Sequence, residues 1–265
     1  MRNFEKDIEI FKKHTIILRQ FFEDHYVRRF EYPVEDHFAF MLLCFLSKQK
    51  EHLESVITLV NAQLYSDAMI IARNMIEGLG NIYWVSMDMN KRALRWRKYC
   101  VVTDYRIALK KANGDRNKID TTILKRVESE GEEYLCERFR KPEVQKKNLP
   151  FDPYKQYWRF GDDGKEVNVY NLFSKDDKEL YNIYNDMSDW VHWNVNRIGT
   201  KLIREKSEVG YVKNPASDGC FALSSAFLSM FYLMEVTKKH LNLEYDYLLE
   251  NISNNYRNDI KQAAI

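Results

Sequence analysis

Residues 69–85 read MIIARNMIEGLGNIYWV, a run in which apolar side chains occupy nearly every turn of a helix. Ser66 or Asp67 precedes it, and either side chain can accept a hydrogen bond from a free backbone N–H of the first turn. A helix that is apolar on almost all sides is buried among other elements. We therefore predict that this stretch is a core helix capped at Ser66 or Asp67.

The polar exceptions in this helix fall on one face. Arg73 and Glu77 are four residues apart, and Gly80 and Trp84 continue the same stripe. Glycine costs helix stability, so Gly80 indicates that another group packs close to the backbone there. Charges in an apolar run are costly to bury unless they have further partners. Two interpretations stay open: an ion pair at the edge of the core, and part of a functional site.

Helical periodicity extends outward on both sides of this stretch. Towards the N-terminus, apolar spacing predicts helices over about 3–29 and 34–63, joined as an antiparallel hairpin by a turn at Pro33. Towards the C-terminus it predicts helices over about 88–113 and 119–141, one beginning at Ser174, a very apolar one over 220–236 and a closing helix. We predict an all-α fold, an antiparallel helical bundle of about seven to eight helices with one long irregular loop or small hairpin near 142–174.

Composition favours one helical domain. The 265 residues include 9 glycines and 5 prolines, and 45% of them are hydrophobic, which suits long helices around a large core. We expect a single domain over residues 1–265, made of an N-terminal helix (1–33), a core bundle (34–242) and a C-terminal helix (243–265).

The sequence disfavours secreted, membrane and metal-binding classes. The N-terminal residues are charged throughout, and the most apolar run, 38–46, is about half the length that crosses a bilayer. The 4 cysteines are widely separated, with no CxxC pair and no histidine at metal-ligand spacing. We expect a cytoplasmic protein with no membrane segment, no metal site and no cofactor.

A basic segment follows the core helix. Residues 91–126 contain 12 lysines and arginines against 3 aspartates. Helical spacing places Arg92, Arg95, Tyr99 and Arg106 near one another, where they can follow a phosphate backbone while the ring stacks on a base. The alternative is a solvated helix face, which is the more frequent origin of such charge runs.

The long segment 142–174 contains YWRFGDDGKEVNVY at 157–170, in which aromatic and β-branched residues flank Gly161–Gly164. This pattern predicts a small β-hairpin or a structured loop. Loops of this length inside a compact domain are frequently functional or interaction elements.

The stretch 181–197, YNIYNDMSDWVHWNVNR, concentrates the groups that can carry acid–base chemistry. Tyr184, Ser188 and His192 are four residues apart and share one helical stripe, with Asn194 close by. Histidine is the side chain whose unperturbed pKa suits proton transfer near neutral pH, so His192 is our candidate catalytic residue. The alternative is a structural histidine bonded to a neighbour.

Three stretches together resemble a known family. They are RNMIEGLGNIYW at 73–84, the tryptophan at 158, and YNDMSDWVHWN at 184–194. They are similar to the uncharacterised bacterial family catalogued as domain of unknown function 5677, over roughly residues 35–240. That family has an Arg-x-x-x-Glu helix early and a Tyr-x-x-x-Ser-x-x-x-His helix late, here Arg73, Glu77, Tyr184, Ser188 and His192. The family carries no established activity.

A looser resemblance is to HEPN proteins, small helical domains that often act as metal-independent ribonucleases in toxin–antitoxin and phage-defence systems. Their motif is an Arg followed by a polar residue and, four to six positions later, a His on the same helix. Arg73 is followed by Asn74, but here the histidine, His192, falls on another helix.

The HEPN resemblance implies an RNA-directed effector of bacterial defence. His192 would serve as base or acid, Arg73 as phosphate clamp, Glu77 as its orienting partner, and Ser188, Tyr184 or Asn194 as hydrogen-bond donors. The expected partners are RNA, a second copy of the chain in a homodimer, and a protein partner such as an antitoxin.

Two other functional classes remain as alternatives. One is a non-catalytic module whose Arg/Glu/Ser/His cluster fixes helix register, and which binds a partner or small nucleotide through the 142–174 loop. The other is a metal-dependent hydrolase, which is weaker because no cluster near His192 has ligand spacing.

Overall fold

The structure is a computed structural model that describes residues 4–140, 152–173, 178–191, 202–205, 208–211 and 216–263. These residues form nine α-helices and one two-stranded sheet, which confirms the predicted all-α class. The chain divides into two compact units, unit 1 (Met1–Trp84 and Leu172–Ile265) and unit 2 (Val85–Asn171). The expectation of a single domain stays a prediction.

The helices of unit 1 follow the predicted order, with bounds that differ from the predicted ones by a few residues. They are α1 (Phe4–Tyr26), α2 (His37–Asn61), α3 (Tyr65–Ser86, which ends in unit 2), α7 (Lys178–Val191), α8 (Ala216–Leu241) and α9 (Asp246–Ala263). The strands β1 (Leu202–Glu205) and β2 (Glu208–Tyr211) pair antiparallel, a feature that the sequence analysis did not predict. Helix α3 begins at Tyr65, so Ser66 and Asp67 lie in its first turn rather than before it. Ser174 lies outside the described residues.

The core of unit 1 forms around α8, which packs against α1 and α2. The buried Tyr26 hydroxyl of α1 donates to the carbonyl of Met234 at 3.0 Å. Helix α9 lies along α1, and its Tyr256 ring stacks on Phe227 of α8 with a centroid distance of 4.0 Å. Residues distant in the sequence thus build one apolar core.

Helix α8 is, among the described residues, the one helix long and apolar enough to cross a membrane, with a mean hydropathy of 1.5 over its most apolar window. Of that window, 67% is buried inside the protein. The core helix of a folded unit can be equally long and equally apolar.

Helix α3 is packed closely on both sides. Gln49 of α2 donates from Nε2 to the carbonyl of Met75 at 2.8 Å. A Cβ on Gly80 would lie 2.7 Å from Cζ of Phe173. The close packing that Gly80 indicated is therefore present, and the group that packs there is an aromatic ring.

Unit 2 contains α4 (Met89–Lys98), α5 (Cys100–Lys111) and α6 (Thr121–Glu130), with α4 and α5 separated only by Tyr99. The predicted helix over 119–141 was too long, because the chain turns at Gly131 and continues in two short 3-10 helices, Glu132–Tyr134 and Glu137–Phe139. A Cβ at position 131 would lie 2.4 Å from the carbonyl oxygen of Val127. The turn brings Tyr134 fully into the core, where its hydroxyl donates to the Arg95 carbonyl at 2.7 Å.

The predicted small hairpin is present within the described part of 142–174. Phe160 and Glu166 form an isolated antiparallel bridge, and Val167 N donates to the Arg159 carbonyl at 3.1 Å. Gly164 closes the turn with a φ of 75°, a conformation that favours glycine. The hairpin packs Tyr154 and Phe160 into the core of unit 2.

Candidate functional site

The structure joins α3 and α7 of unit 1 through the guanidinium of Arg73. Its Nε donates to Ser188 Oγ at 2.9 Å, and its Nη2 donates to the Tyr184 hydroxyl. The guanidinium carbon also lies 4.3 Å from the centroid of the Tyr184 ring, within the range of a cation–π contact. Arg73, Tyr184 and Ser188 therefore lie together in the structure, and their role in a functional site stays a prediction.

The spacing of α7 explains how two of its side chains reach one guanidinium. Tyr184 and Ser188 are one helical turn apart, so their side chains emerge on the same face. Ser188 Oγ accepts from Arg73 and donates to the Tyr184 carbonyl at 2.8 Å, which fixes its hydroxyl orientation. The Tyr184 ring in turn stacks on Tyr181 with a centroid distance of 6.4 Å.

Residues of α3 complete the surroundings of Arg73. Nη1 lies 3.8 Å from Glu77 Oε2 and donates to Asn74 Oδ1 at 3.3 Å. The predicted Arg73–Glu77 pair therefore exists, and it is longer than the contacts that Arg73 makes across to α7. We call Arg73, Glu77, Tyr184 and Ser188 the Arg73 cluster.

The Arg73 cluster is mostly buried, with one accessible edge. The side chain of Arg73 is 14% exposed and that of Glu77 is 28% exposed, whereas Tyr184 is buried. A guanidinium carries five N–H groups. Arg73 donates three of them to the described residues Ser188, Tyr184 and Asn74.

The remaining two candidates, His192 and Asn194, lie outside the described residues. His192 follows Ser188 by four positions in the sequence. Its part in the site stays a prediction.

The predicted nucleic-acid-binding residues of unit 2 hold the hairpin segment in place. Arg95 is 6% exposed, and its Nη1 donates to the Phe160 carbonyl at 2.7 Å. Arg106 Nε donates to Asp152 Oδ2 at 2.7 Å. The Tyr99 hydroxyl donates to the Lys155 carbonyl at 2.8 Å, and burial raises its pKa.

This structural use of the arginines was not foreseen, because the acceptors are mostly backbone carbonyls that no sequence pattern marks. Arg92, the fourth residue of that set, is partly buried, and burial lowers its pKa. Among the exposed cations of the segment, four lysines form no ion pair with a described carboxylate. They are Lys98, Lys110, Lys111 and Lys125.

Across the described ranges, no group of three or more His, Cys, Asp or Glu side chains is arranged to hold a metal ion. The 4 cysteines, all among the described residues, form no disulfide, and Cys100 is exposed.

The fold and the Arg73 cluster define an all-α protein in which two helices distant in the sequence meet at one arginine. The chain belongs to a family of unknown function (DUF5677), whose model matches residues 39–209 and so includes every residue of the Arg73 cluster as well as His192. This confirms the first resemblance, whereas the resemblance to HEPN domains stays a prediction. No curated protein and no solved structure matches the chain.

Proposed function

We propose that the protein is a HEPN-like, RNA-directed effector that cleaves RNA without a metal ion, in a bacterial defence of the anti-phage or toxin type. The observation that carries the proposal is the position of Arg73, whose guanidinium is held by Ser188 and Tyr184 from a second helix. A preorganised cation of this kind stabilises negative charge that develops during a reaction.

The proposed chemistry is an internal transesterification. His192 as base removes the proton from a ribose 2′-hydroxyl, and the 2′-oxygen attacks the adjacent phosphorus. The bond from phosphorus to the 5′-oxygen breaks, and the 5′-oxygen takes a proton from a general acid. The products are a 2′,3′-cyclic phosphate and a 5′-hydroxyl. Arg73 neutralises charge on the non-bridging oxygens, while Glu77 and Tyr184 hold the guanidinium in orientation.

The exposed lysines of unit 2 supply a surface for the RNA backbone. Lys98, Lys110, Lys111 and Lys125 carry charge that no described carboxylate pairs, and such charge favours phosphate contacts. In this proposal the protein acts in the cytoplasm, and a protein partner or a second copy of the chain regulates it.

The test is an RNA cleavage assay with purified full-length protein, total cellular RNA and end-labelled tRNA, in the presence of EDTA. We expect the wild type to cleave and His192→Ala to be inactive, with both folded by circular dichroism. His52→Ala, a partly buried histidine of α2, is the matched control and should cleave as the wild type does. Equal cleavage by His192→Ala would contradict the proposal.

A second candidate is a non-catalytic interaction module, in which the Arg73 cluster only fixes the register of α3 and α7. The low exposure of Arg73, at 14%, favours this candidate. It predicts that substitutions in the cluster lower thermal stability while wild-type protein leaves RNA intact.

A further inference from the structure

Unit 2 contains a cavity of about 410 Å³ that is lined in part by the hairpin turn at Gly161, Asp162 and Gly164. Its volume is in the range of sites that bind small molecules. Its lining is rich in charge: it includes four cations, Lys91, Arg95, Arg140 and Lys155, and three carboxylates, Glu132, Glu133 and Asp162. None of these residues belongs to the Arg73 cluster.

Two of the four cations form ion pairs with carboxylates of the lining, and the other two do not. Lys91 pairs with Asp162 at 2.5 Å, and Arg95 lies 3.5 Å from Glu133. Lys155 and Arg140 form no ion pair with a described carboxylate, and Arg140 donates only to backbone carbonyls, including that of Glu133 at 2.7 Å.

Lys155 is the most unusual of these residues because its charge is buried. The residue is 7% exposed, and its Nζ lies 3.5 Å above the centroid of the Phe160 ring. A ring face attracts a cation but does not neutralise it. Burial, together with the nearby charges of Arg140 and Arg95, lowers the pKa of the Lys155 ammonium. Buried charges are ordinarily paired with an anion, a role that a bound ligand in the cavity can fill.

We propose that this cavity binds a terminal phosphate group, with Lys155 and Arg140 as its principal contacts. A phosphate supplies negative charge to Lys155 and Arg140, two cations of the lining that form no ion pair with a described carboxylate. The remaining volume accommodates the molecule that carries the phosphate, such as a mononucleotide or the phosphorylated end of a nucleic acid. The site is independent of the proposed cleavage chemistry, which uses residues of unit 1.

The test is calorimetric titration of the full-length protein with inorganic phosphate, adenosine 5′-monophosphate and adenosine. Short oligodeoxyribonucleotides with a 5′-phosphate or a 5′-hydroxyl form the nucleic-acid arm. They lack the 2′-hydroxyl, so the proposed cleavage cannot consume them. The titration therefore tests the phosphate site separately from the ribonuclease proposal.

We expect Lys155→Met to weaken phosphate binding by at least about tenfold, since a charge-assisted hydrogen bond is lost. Methionine keeps the apolar contact with Phe160, and removal of a buried charge should leave the unliganded protein at least as heat-stable as the wild type. Arg140→Gln, at an exposed position, should weaken binding without disturbing the core. Lys165→Gln is the matched control, because Lys165 lies on the same hairpin with its side chain 85% exposed and outside the cavity.

Binding of inorganic phosphate as tightly as the nucleotide would support the site and identify free phosphate as its ligand. Binding of the monophosphate or the 5′-phosphorylated oligonucleotide alone would support it and identify a nucleotide end. The proposal is overturned if no phosphate compound binds, if Lys155→Met binds as the wild type does, or if adenosine and the 5′-hydroxyl oligonucleotide bind equally well.

Discussion

Arg73 and Ser188 are joined by a hydrogen bond of 2.9 Å, although 115 residues separate them in the sequence. The bond links α3, at the end of the first segment of unit 1, to α7, in the segment of unit 1 that follows unit 2 along the chain. The same serine hydroxyl donates back to its own helix at the Tyr184 carbonyl, so both its donor and its acceptor sites are used.

Ser188→Ala should therefore destabilise the protein by about 1–3 kcal/mol, because a largely buried guanidinium loses an acceptor. Urea unfolding followed by circular dichroism measures this. The control is Ser55→Ala on α2, whose hydroxyl donates to the Glu51 carbonyl one turn earlier in a solvent-exposed hydrogen bond. If the two substitutions have equal effects, the Arg73 bond contributes nothing to stability.

Gly80→Ala should destabilise unit 1 even though alanine is the better helix former. The added Cβ would lie 2.7 Å from the Phe173 ring, and overpacking of this kind typically costs about 1–3 kcal/mol. In a Phe173→Ala background the ring is gone, and the same substitution should become neutral or stabilising. A double-mutant cycle at positions 80 and 173, with free energies of unfolding measured in urea, tests this. An effect of Gly80→Ala that is unchanged in that background would show that the ring is not the obstacle.

Asp259 of α9 should make stability depend on pH in the acid range. Hydrogen bonds from Lys13 and His14 lower the pKa of this carboxyl below its ordinary value of 3.8. A lowered folded-state pKa means that the folded chain binds fewer protons than the unfolded one, so the stabilisation is complete above the ordinary value. It is lost as pH falls through the folded-state pKa.

Asp259→Asn should accordingly lower the melting temperature at neutral pH and make no difference once the carboxyl of the wild type is protonated. Differential scanning calorimetry from neutral to strongly acidic pH measures both limits. A difference in melting temperature that persists unchanged at the acid limit would mean that the charge of Asp259 is not its cause.

Met230→Ala tests the interpretation of α8 as a core helix. Met230 is fully buried within unit 1, so its truncation should cost about 2–5 kcal/mol of unfolding free energy in aqueous buffer. The wild-type protein should also stay unbound in liposome flotation. Flotation of the wild type with the vesicles, together with an unchanged free energy of unfolding in Met230→Ala, would instead indicate that α8 inserts into the bilayer.

Helical periodicity predicted the fold class well, since apolar residues at steps of three and four mark α1, α2, α3 and α8 directly. The same pattern predicted a helix that continues past Gly131, whereas the chain there forms 3-10 turns that depend on the tertiary packing of Tyr134. It also gave no sign of the β1–β2 pair.

For the site, four-residue spacing predicted the faces of Arg73 with Glu77 and of Tyr184 with Ser188. The buried roles of Arg95 and Arg106 were not predictable, because their acceptors are chiefly carbonyls and one aspartate on a distant segment. Charge density in a sequence does not distinguish a cation that faces solvent from one that holds a loop.

The most direct test of the proposed function is to identify the chemical ends of tRNA fragments produced by the wild-type protein in EDTA. We predict 2′,3′-cyclic phosphate and 5′-hydroxyl ends, formed by the wild type and lost in both His192→Ala and Arg73→Ala. Intact tRNA after incubation with folded wild-type protein, or fragments that both variants produce equally, would contradict it.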